Sequence, residues 1–327
     1  MAINLDYFEH DPQLVTTIKN IVANRKRAIV ITIGNWKGGV SKTASSAEIA
    51  FVLSTLGFKV TVIDNDAQGD VTGILLLTKQ NIDNKFAFEK TMMRGIQEGN
   101  LTDLVVNISE NLDLIPSSGD FFNFGNFLDY TYGVELAGTP EFDALEIKKV
   151  SHQANLLGEV MENSDFIIID TPPGESYQTK SALYMSDYVM LALQTQASSL
   201  EQATTFVKNF IPKIIKFNPD IDIIGVLTSM LNAPTNPLND KRQLPKERLE
   251  ILKNDKKWML DLEIYQDALD EFGEEEVFNT IIPYMRRIGR LPRAGIELND
   301  RWDKEIQITY YYLVIEMLER INERIGF

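Results

Sequence analysis

A glycine-rich stretch near the start of the chain carries the residues best suited to bind phosphate. It reads Asn35-Trp36-Lys37-Gly38-Gly39-Val40-Ser41-Lys42-Thr43. Small residues let backbone N–H groups approach phosphate oxygens, a lysine can reach the β- and γ-phosphates, and a hydroxyl can bind Mg²⁺. These parts are supplied by Gly38, Gly39, Lys42 and Thr43. The stretch predicts a nucleotide site, with a coincidental turn as the alternative.

The spacing of this stretch is a variant of the common phosphate-binding loop. In the pattern G-x-x-x-x-G-K-[ST] the two glycines would fall on Trp36 and Ser41, so the pattern that matches is K-G-G-x-x-K-[ST]. At average residue frequencies this variant arises by chance in a chain of this length about once in 10³. Its position between a predicted strand and a predicted helix favours a nucleotide site further.

Carboxylates follow two other predicted strands. Asp64, Asp66 and Asp70 come at or after the end of one, and Asp170 ends the run Phe166–Asp170. The carboxyl edge of a parallel sheet is where open α/β folds bind ligands, and carboxylates there can orient water or hold hydrated Mg²⁺. Solvated turns are the alternative. The loop Thr171–Gly174, which reads Thr-Pro-Pro-Gly, suits a segment that senses the γ-phosphate.

The elements that must position these residues alternate between strand and helix. A β-branched run at Ala28–Gly34, a helix at Thr43–Leu56 and a strand at Lys59–Asp64 make a βαβ unit. Further strands are predicted at Leu112–Ile115, Phe166–Asp170, Tyr188–Leu193, Ile223–Leu227 and Phe278–Ile282. We therefore predict one α/β domain with a doubly wound, mostly parallel sheet of seven or eight strands flanked by helices.

Other segments fall outside that alternation. We predict a short N-terminal helical arm over residues 1–27 and a single domain over 28–327. The helix at 11–24 either packs on the body or serves as a docking or dimer-forming arm. Irregular insertions are expected at about 78–100 and 120–147, where the aromatic residues of the second favour a satellite core. A long closing helix is expected over Asp303–Ile325.

Composition excludes several classes of function. The chain has 327 residues, no cysteine, two histidines and a net charge of −15. Disulfides, thiolate catalysis and iron–sulfur ligation by this chain are excluded, and nucleic acid would have to bind through a local basic patch. The sequence contains no signal peptide or apolar run of membrane-spanning length, so we expect a cytoplasmic protein.

Together these motifs resemble the ParA/MinD family of deviant Walker P-loop ATPases, and most closely its ParA-type partition ATPases. The resemblance covers most of the chain from about Ala28 onward. Beyond the three motifs, Ser186–Val189 resembles the family's A-S-D-x-V strand, Val277–Pro283 its V-F-x-T-x-I-P strand, and Gly295-Ile296 its G-x-P-I region.

The resemblance implies a role for each matching residue. Lys37 would be the signature lysine that reaches the nucleotide of a dimer partner, and Asp66 would orient the attacking water. Thr43 would bind Mg²⁺, supported by Asp64 and Asp170. Asn232 and Pro283 are expected near the base of the nucleotide. The full set expected to contact ATP or ADP is Lys37, Gly38, Gly39, Val40, Ser41, Lys42, Thr43, Ala44, Asn232 and Pro283.

The sequence departs from the family at four positions near the site. Ser41 replaces the usual glycine before the lysine, so we expect this position to avoid a positive φ. Ala44, Ala67 and Asp70 replace a frequent threonine, a proline and a common asparagine. None of these changes removes a catalytic group.

The resemblance implies an ATPase that serves DNA partition, with plasmid partition favoured. ATP would close a sandwich homodimer that binds DNA without sequence preference, and a ParB-type centromere-binding protein would stimulate hydrolysis on the nucleoid. DNA needs a basic face. The candidates are Arg286, Arg287, Arg290, Arg293, Lys241 and Arg242, and a solvated helix face is the alternative.

Two other functions stay open at this point. A membrane-cycling ATPase similar to MinD needs a basic amphipathic C-terminal tail, whereas Glu316–Phe327 carries three glutamates beside two arginines. We therefore expect no membrane partner. A different cargo, such as a protein scaffold, is compatible with the same ATPase core.

Overall fold

The computed structural model describes residues 12–39, 41–83, 90–231, 259–298 and 301–325. The strands within these ranges are β1 Ile29–Gly34, β2 Val60–Asp64, β3 Val106–Ser109, β4 Leu112–Ile115, β5 Phe166–Asp170, β6 Tyr188–Gln194, β7 Asp222–Leu231 and β8 Ile282–Pro283. They form one sheet in the order β3-β4-β2-β5-β1-β6-β7-β8. All neighbours pair in parallel except β3 and β4. The predicted doubly wound, mostly parallel sheet is confirmed.

Helices cover both faces of the sheet. They are α1 Pro12–Asn24, α2 Lys42–Thr55, α3 Asp70–Asp83, α4 Met92–Glu98, α5 Phe124–Tyr132, α6 Pro140–Asn155, α7 Gly158–Asn163, α8 Tyr177–Met185, α9 Ala197–Thr205, α10 Ile211–Ile215, α11 Met259–Phe272, α12 Leu291–Ala294 and α13 Arg301–Ile325. A π-helical turn at Phe206–Phe210 joins α9 to α10.

The order of the central strands brings the predicted site residues together. Strand β5 lies between β1 and β2, with Asp170 in register with Ile33 on one side and Asp64 on the other. These three strands run parallel, so the loops at their carboxyl ends share one edge of the sheet. All the residues of the three strands are buried, as expected for β-branched runs covered on both faces.

The N-terminal helix packs on the body of the protein. Helix α1 buries Leu14, Val15, Ile18 and Val22 in the same apolar cluster as α2 and α13. This is the simpler of the two alternatives for residues 11–24. The division into an arm over 1–27 and a domain over 28–327 stays a prediction.

The two segments expected to be irregular are largely helical where the structure describes them. Helix α3 continues through 78–83, and α4 follows Thr91, whose side chain accepts a hydrogen bond from the Arg94 N–H. Helix α6 begins after the N-cap Thr139 with Pro140 in its first turn. The hydroxyls of these N-cap residues accept hydrogen bonds from free N–H groups in the first turn of each helix. The polar composition of the two segments had obscured these helices. The expected irregularity is therefore wrong, and residues 84–89 lie outside the described ranges.

The aromatic segment contributes to a core. Phe121 and Phe124 are fully buried and stack at 5.0 Å between ring centroids. Tyr130, in contrast, is 92% exposed. Phe121 and Phe124 belong to the core on one face of the central sheet, together with Val30 and Ile167, so the expected satellite core is wrong.

The last predicted strand is shorter than expected. Strand β8 begins only at Ile282, and Val277 makes an isolated bridge to Val226. The backbone N–H groups of Asn279 and Thr280 instead donate to the Glu316 carboxylate of α13. Because a side chain has taken these donors, they cannot join the sheet.

Candidate nucleotide site

The loop from β1 to α2 has the open backbone that phosphate binding needs. Among the described residues, no atom lies within 4 Å of the position that a Cβ would occupy on Gly38 or Gly39, and Gly39 has a φ of +75°. Lys42 and Thr43 form the first turn of α2. Free N–H groups at the start of a helix favour an anion there. Val40 lies outside the described residues.

Ser41 corrects one expectation about this loop. Its backbone has φ 65° and ψ 17°, which is the left-handed region that the sequence analysis expected it to avoid. The turn into α2 keeps the geometry that the usual glycine would give, and the serine adopts it with steric strain. Its side chain makes no capping hydrogen bond to α2.

The Lys42 side chain lies inside its own loop. Its Nζ donates to the backbone oxygen of Lys37 at 2.9 Å, and the residue is only 6% exposed. Burial lowers the pKa of the Lys42 amine, while the carboxylates of Asp170 and Asp66 oppose that shift. The amine therefore points into the curve of the loop, where phosphate charge would be neutralised.

Thr43 and Asp170 meet at the end of the loop. The Thr43 hydroxyl donates to Asp170 Oδ2 at 2.8 Å, and the Ser46 hydroxyl donates to Oδ1 at 3.0 Å. Burial raises the pKa of Asp170 to about 6, and the hydrogen bond from Thr43, the charge of Lys42 and the hydrogen bond from Ser46 counteract that shift. Ser46 was missed by the sequence analysis, although its position three residues after Thr43 places both on one face of α2.

Asp64 lies behind the site rather than in it. It is fully buried, and its Oδ2 accepts hydrogen bonds from the backbone N–H and the hydroxyl of Thr72 at 3.0 and 2.6 Å. Burial and the nearby charge of Asp170 raise its pKa to about 8. Asp64 also accepts from the Asp66 N–H at 3.1 Å, so it braces the turn that carries Asp66.

The phosphate-binding loop opens into a cleft of about 580 Å³. Asp66 lines this cleft together with residues of the loop, and its Oδ1 accepts from the backbone N–H of Gln68 at 2.9 Å. The far end is formed by the segment after β8. The cleft brings together the following residues: Gly38, Gly39, Ser41, Lys42, Thr43, Ala44, Asp66, Asp70, Ile74, Thr171, Pro173, Ile282, Pro283, Tyr284, Met285, Arg286, Ile288, Gly289 and Pro292.

Lys37 extends away from the cleft. Its Nζ donates to Gln196 Oε1 at 2.6 Å and to Ser198 Oγ at 2.8 Å, at the start of α9. Sequence analysis did not single out Gln196 or Ser198, because their contact with Lys37 spans about 160 residues of chain. The lysine is thus held by polar side chains rather than by the loop that carries it.

The predicted base and DNA residues are divided by the structure. Pro283 and Arg286 line the cleft. Arg287 is bound in ion pairs with Asp303, at 2.6 Å, and with Glu297, at 3.5 Å. Exposed side chains are found at Arg286, Arg290 and Arg293, whereas Asn232, Lys241 and Arg242 lie outside the described residues.

The described residues contain neither a metal-binding cluster of side chains nor a membrane-spanning helix. In the described ranges, no group of three or more histidine, cysteine, aspartate or glutamate side chains is arranged to hold a metal ion. None of the helices described is long and apolar enough to cross a membrane. Oxygen donors do lie beside the loop, where the Thr43 hydroxyl is 2.8 Å from Asp170 Oδ2.

Comparisons with known proteins identify the family to which the chain belongs. The model of the AAA domain family matches residues 28–223. The sporulation initiation inhibitor protein Soj of Bacillus subtilis is 27% identical over 81% of this chain and 88% of its own length. The chromosome-partitioning ATPase Soj of Thermus thermophilus is 24% identical over 81% of this chain and 85% of its own length.

A solved structure shares the fold. Cobyrinic acid a,c-diamide synthase from Mycobacterium smegmatis, solved with an ATP analogue and magnesium, superposes with a TM-score of 0.65. The match covers 92% of this chain and 97% of that protein at 19% identity. At that identity the likeness establishes the fold alone.

Proposed function

This chain belongs to the ParA/MinD family of P-loop ATPases, with an AAA domain over residues 28–223, and from that premise we propose that it is a DNA-partition ATPase. In this proposal ATP closes a sandwich homodimer, and the dimer binds DNA without sequence preference. A ParB-type centromere-binding protein then stimulates hydrolysis and release. The work takes place in the cytoplasm, on the nucleoid.

The observation that carries the proposal is that Lys42, Thr43 and Asp66 line one cleft, with buried Asp170 hydrogen-bonded to Thr43. Lys42 and the N–H groups of the loop bind the phosphates of ATP. The hydroxyl of Thr43 and the carboxylate of Asp170 are hard oxygen donors, which suit Mg²⁺. When bound, Mg²⁺ offsets the charge that develops on the phosphates during transfer.

Asp66 is the residue we assign to the attacking water. Asp66 lines the same cleft as the phosphate-binding loop, and a turn braced by Asp64 holds it there. A carboxylate in that place accepts a hydrogen bond from water and so orients its lone pair towards the γ-phosphate. Asp64 acts through Asp66 and touches no part of the cleft in this assignment.

Lys37 is assigned to the nucleotide of the dimer partner. Its amine is hydrogen-bonded to Gln196 and Ser198 at the start of α9 rather than to its own phosphate-binding loop. A lysine that is not used by its own site is free to neutralise phosphate charge in trans, as an arginine finger does in other NTPases. ATP hydrolysis would then depend on the dimer.

The DNA-binding face is assigned to Arg286, Arg290 and Arg293. These three side chains are exposed on the segment that follows β8. Arg287 is left out because its guanidinium is committed to Asp303 and Glu297. The net charge of −15 means that a local patch works against the field of the whole molecule, so the binding should be weak and strongly dependent on salt.

A membrane-positioning role receives no support from the end of the chain. Leu318 and Ile321 of α13 are fully buried against the body of the protein. Their apolar surface is therefore already used in the core, whereas a lipid-binding helix needs it free. A protein scaffold as cargo is the remaining outcome if DNA does not bind.

The direct test is fluorescence anisotropy of a random-sequence DNA duplex, measured with ATP, with ADP and without nucleotide across a salt series. Binding only with ATP, falling steeply as salt rises, is the expected result. ATP binding is measured separately with a fluorescent analogue. If the analogue binds but the duplex does not at low salt, the DNA function is wrong and the ATPase assignment stands.

A further inference from the structure

A buried amide pair fixes the turn that carries Asp66. Asn65 lies between Asp64 and Asp66, is fully buried, and pairs with Gln153 of α6, which is also fully buried. Asn65 Nδ2 donates to Gln153 Oε1 at 3.0 Å, and Gln153 Nε2 donates back to Asn65 Oδ1 at 2.7 Å. The two residues are 88 positions apart in the sequence.

The pair connects Asp66 to two helices. Asn65 Nδ2 also donates to the backbone oxygen of Gln178 in α8 at 3.1 Å. The other hydrogen bonds of the turn are local or run to β5, where the Asn65 N–H donates to the backbone oxygen of Asp170 at 2.9 Å. The Asn65 side chain is therefore the polar link between this turn and the α6–α8 layer.

The environment of the pair makes its geometry specific. It lies among apolar side chains such as Met92 and Phe121 on one face of the sheet. A buried amide that loses its partner keeps its full desolvation cost, so only the paired arrangement is stable there. A reciprocal pair adds little net stability over apolar residues of the same shape, but it permits one orientation of both backbones.

We propose that Asn65 and Gln153 are positioning residues for Asp66, holding its carboxylate at the distance from the γ-phosphate that water attack requires. The inference rests on the proposed function, since it takes Asp66 as the residue that orients water. A supporting shell must hold such a group within roughly 0.5 Å, and a displacement of about 1 Å can reduce turnover about a hundredfold. Helix α6 thereby takes part in the geometry of hydrolysis.

The test removes the pair while keeping its volume. Leucine has nearly the shape of asparagine and methionine that of glutamine, so the variants are Asn65→Leu, Gln153→Met and the two combined. Each single variant takes away the partner amide of the remaining side chain, although Asn65 keeps its bond to the Gln178 backbone oxygen in Gln153→Met, and each should lower the Tm. The double variant removes both amides and should regain most of that Tm. The kcat and the KM for ATP with Mg²⁺ are measured on the full chain.

The expected result separates positioning from stability. In the double variant the kcat should fall about tenfold or more, with the KM for ATP within about twofold of the native value. A merely structural pair would return kcat together with Tm, and that result would overturn the inference. Gln153→Met alone, read by the same kcat and KM split, decides the question if the double variant does not fold.

Two controls locate the cause of any change. Thr32→Val with Ser186→Ala removes another buried pair, whose hydroxyls lie 2.7 Å apart and away from Asp66, and should leave kcat unchanged. Asp66→Asn tests the proposed function itself. If Asp66→Asn turns over normally, the role of Asp66 is wrong and the inference falls with it. If it is inactive while the double variant is normal, only the positioning role is wrong.

Discussion

The amine of Lys37 lies 2.6 Å from the side-chain oxygen of Gln196, a residue of a different loop. Lys42, five residues later, points the other way and donates to the backbone oxygen of Lys37. Two lysines of one short loop thus face two different environments. The amine of Lys42 is buried against its own loop, and the amine of Lys37 contacts side chains at the start of α9.

This division predicts different defects for the two lysines. Lys37→Ala should keep nucleotide binding but weaken ATP-dependent dimerisation about tenfold or more, the loss expected for a charge-assisted hydrogen bond. Lys42→Ala should lose nucleotide binding itself. A fluorescent ATP analogue measures binding, and light scattering with ATP measures the dimer. A normal ATP-induced dimer of Lys37→Ala would contradict the assignment in trans.

The strain at Ser41 predicts a variant that is more stable than the native chain. Glycine adopts a φ of 65° without the clash of a Cβ, and this relief should exceed the extra entropy that glycine has when unfolded. Ser41→Gly should raise the free energy of unfolding by about 1 kcal/mol. Asn111 has a φ of 62°, and because asparagine tolerates this region, Asn111→Gly should gain less.

Chemical denaturation without nucleotide measures both variants of this pair. An equal gain at the two positions would mean that any glycine stabilises a left-handed turn in this protein to the same degree. A loss of stability in Ser41→Gly would show that the serine side chain contributes more than its backbone costs.

The sequence predicts the parts of the site that local chemistry determines. The phosphate-binding loop can be predicted from Gly38, Gly39, Lys42 and Thr43. Asp66 and Asp170 can be predicted because they follow or end β-branched runs, which are typical of buried strands. Local pattern does not report the φ of Ser41, which is set by how the loop must close between β1 and α2. The expectation that Ser41 avoids a positive φ was therefore wrong.

Long-range contacts account for what could not be predicted. The Asn65–Gln153 pair joins residues 88 positions apart, and Gln196 reaches Lys37 across 159. Glu316, on a helix near the end of the chain, accepts hydrogen bonds from the N–H groups of Asn279 and Thr280, so these groups do not pair in the predicted strand. Such contacts depend on how the folded helices and strands pack together. No periodicity or motif within one segment therefore predicts them.

Glu48 predicts a pH dependence of stability. It is fully buried in α2, and burial raises its pKa to about 8 despite a hydrogen bond from Gln307. The charge of Asp303 raises it further, while Arg287 pairs with Asp303, and Ser45 and Tyr310 share a hydrogen bond nearby. Between its unfolded value, about 4.5, and 8, the folded chain holds a proton that the unfolded chain releases.

The sign of the effect follows from that proton. Since the folded state binds more protons in this window, stability falls as pH rises from about 4.5 to 8, and the full penalty is present above 8. Glu48→Gln keeps the shape and the partner Gln307 but cannot ionise. Its Tm should therefore exceed the native Tm by an amount that grows from pH 5.5 to pH 8.5.

Thermal unfolding at three pH values checks this, with Glu159→Gln as the matched control because Glu159 is exposed on α7. The control and the native chain should give parallel curves. Parallel curves for Glu48→Gln as well would show that Glu48 is not protonated in the folded protein at neutral pH.

The exposed arginines after β8 predict how DNA binding depends on salt. Arg290 and Arg293 do not line the nucleotide cleft, so Arg290→Ala with Arg293→Ala should leave ATP turnover unchanged. Each phosphate contact adds about 0.9 to the slope of log K against log salt, and losing two should reduce that slope by about 2. The affinity at low salt should fall at least about tenfold.

A charge-matched control distinguishes a surface from a net charge. Lys148→Ala with Lys216→Ala removes two exposed cations from α6 and from the residue after α10, so it changes the net charge by the same amount. Anisotropy of a random duplex with ATP is measured for both double variants. If the control loses as much affinity and slope as the arginine variant, the segment after β8 is not the DNA-binding face. If only the arginine variant changes, DNA contacts the segment after β8.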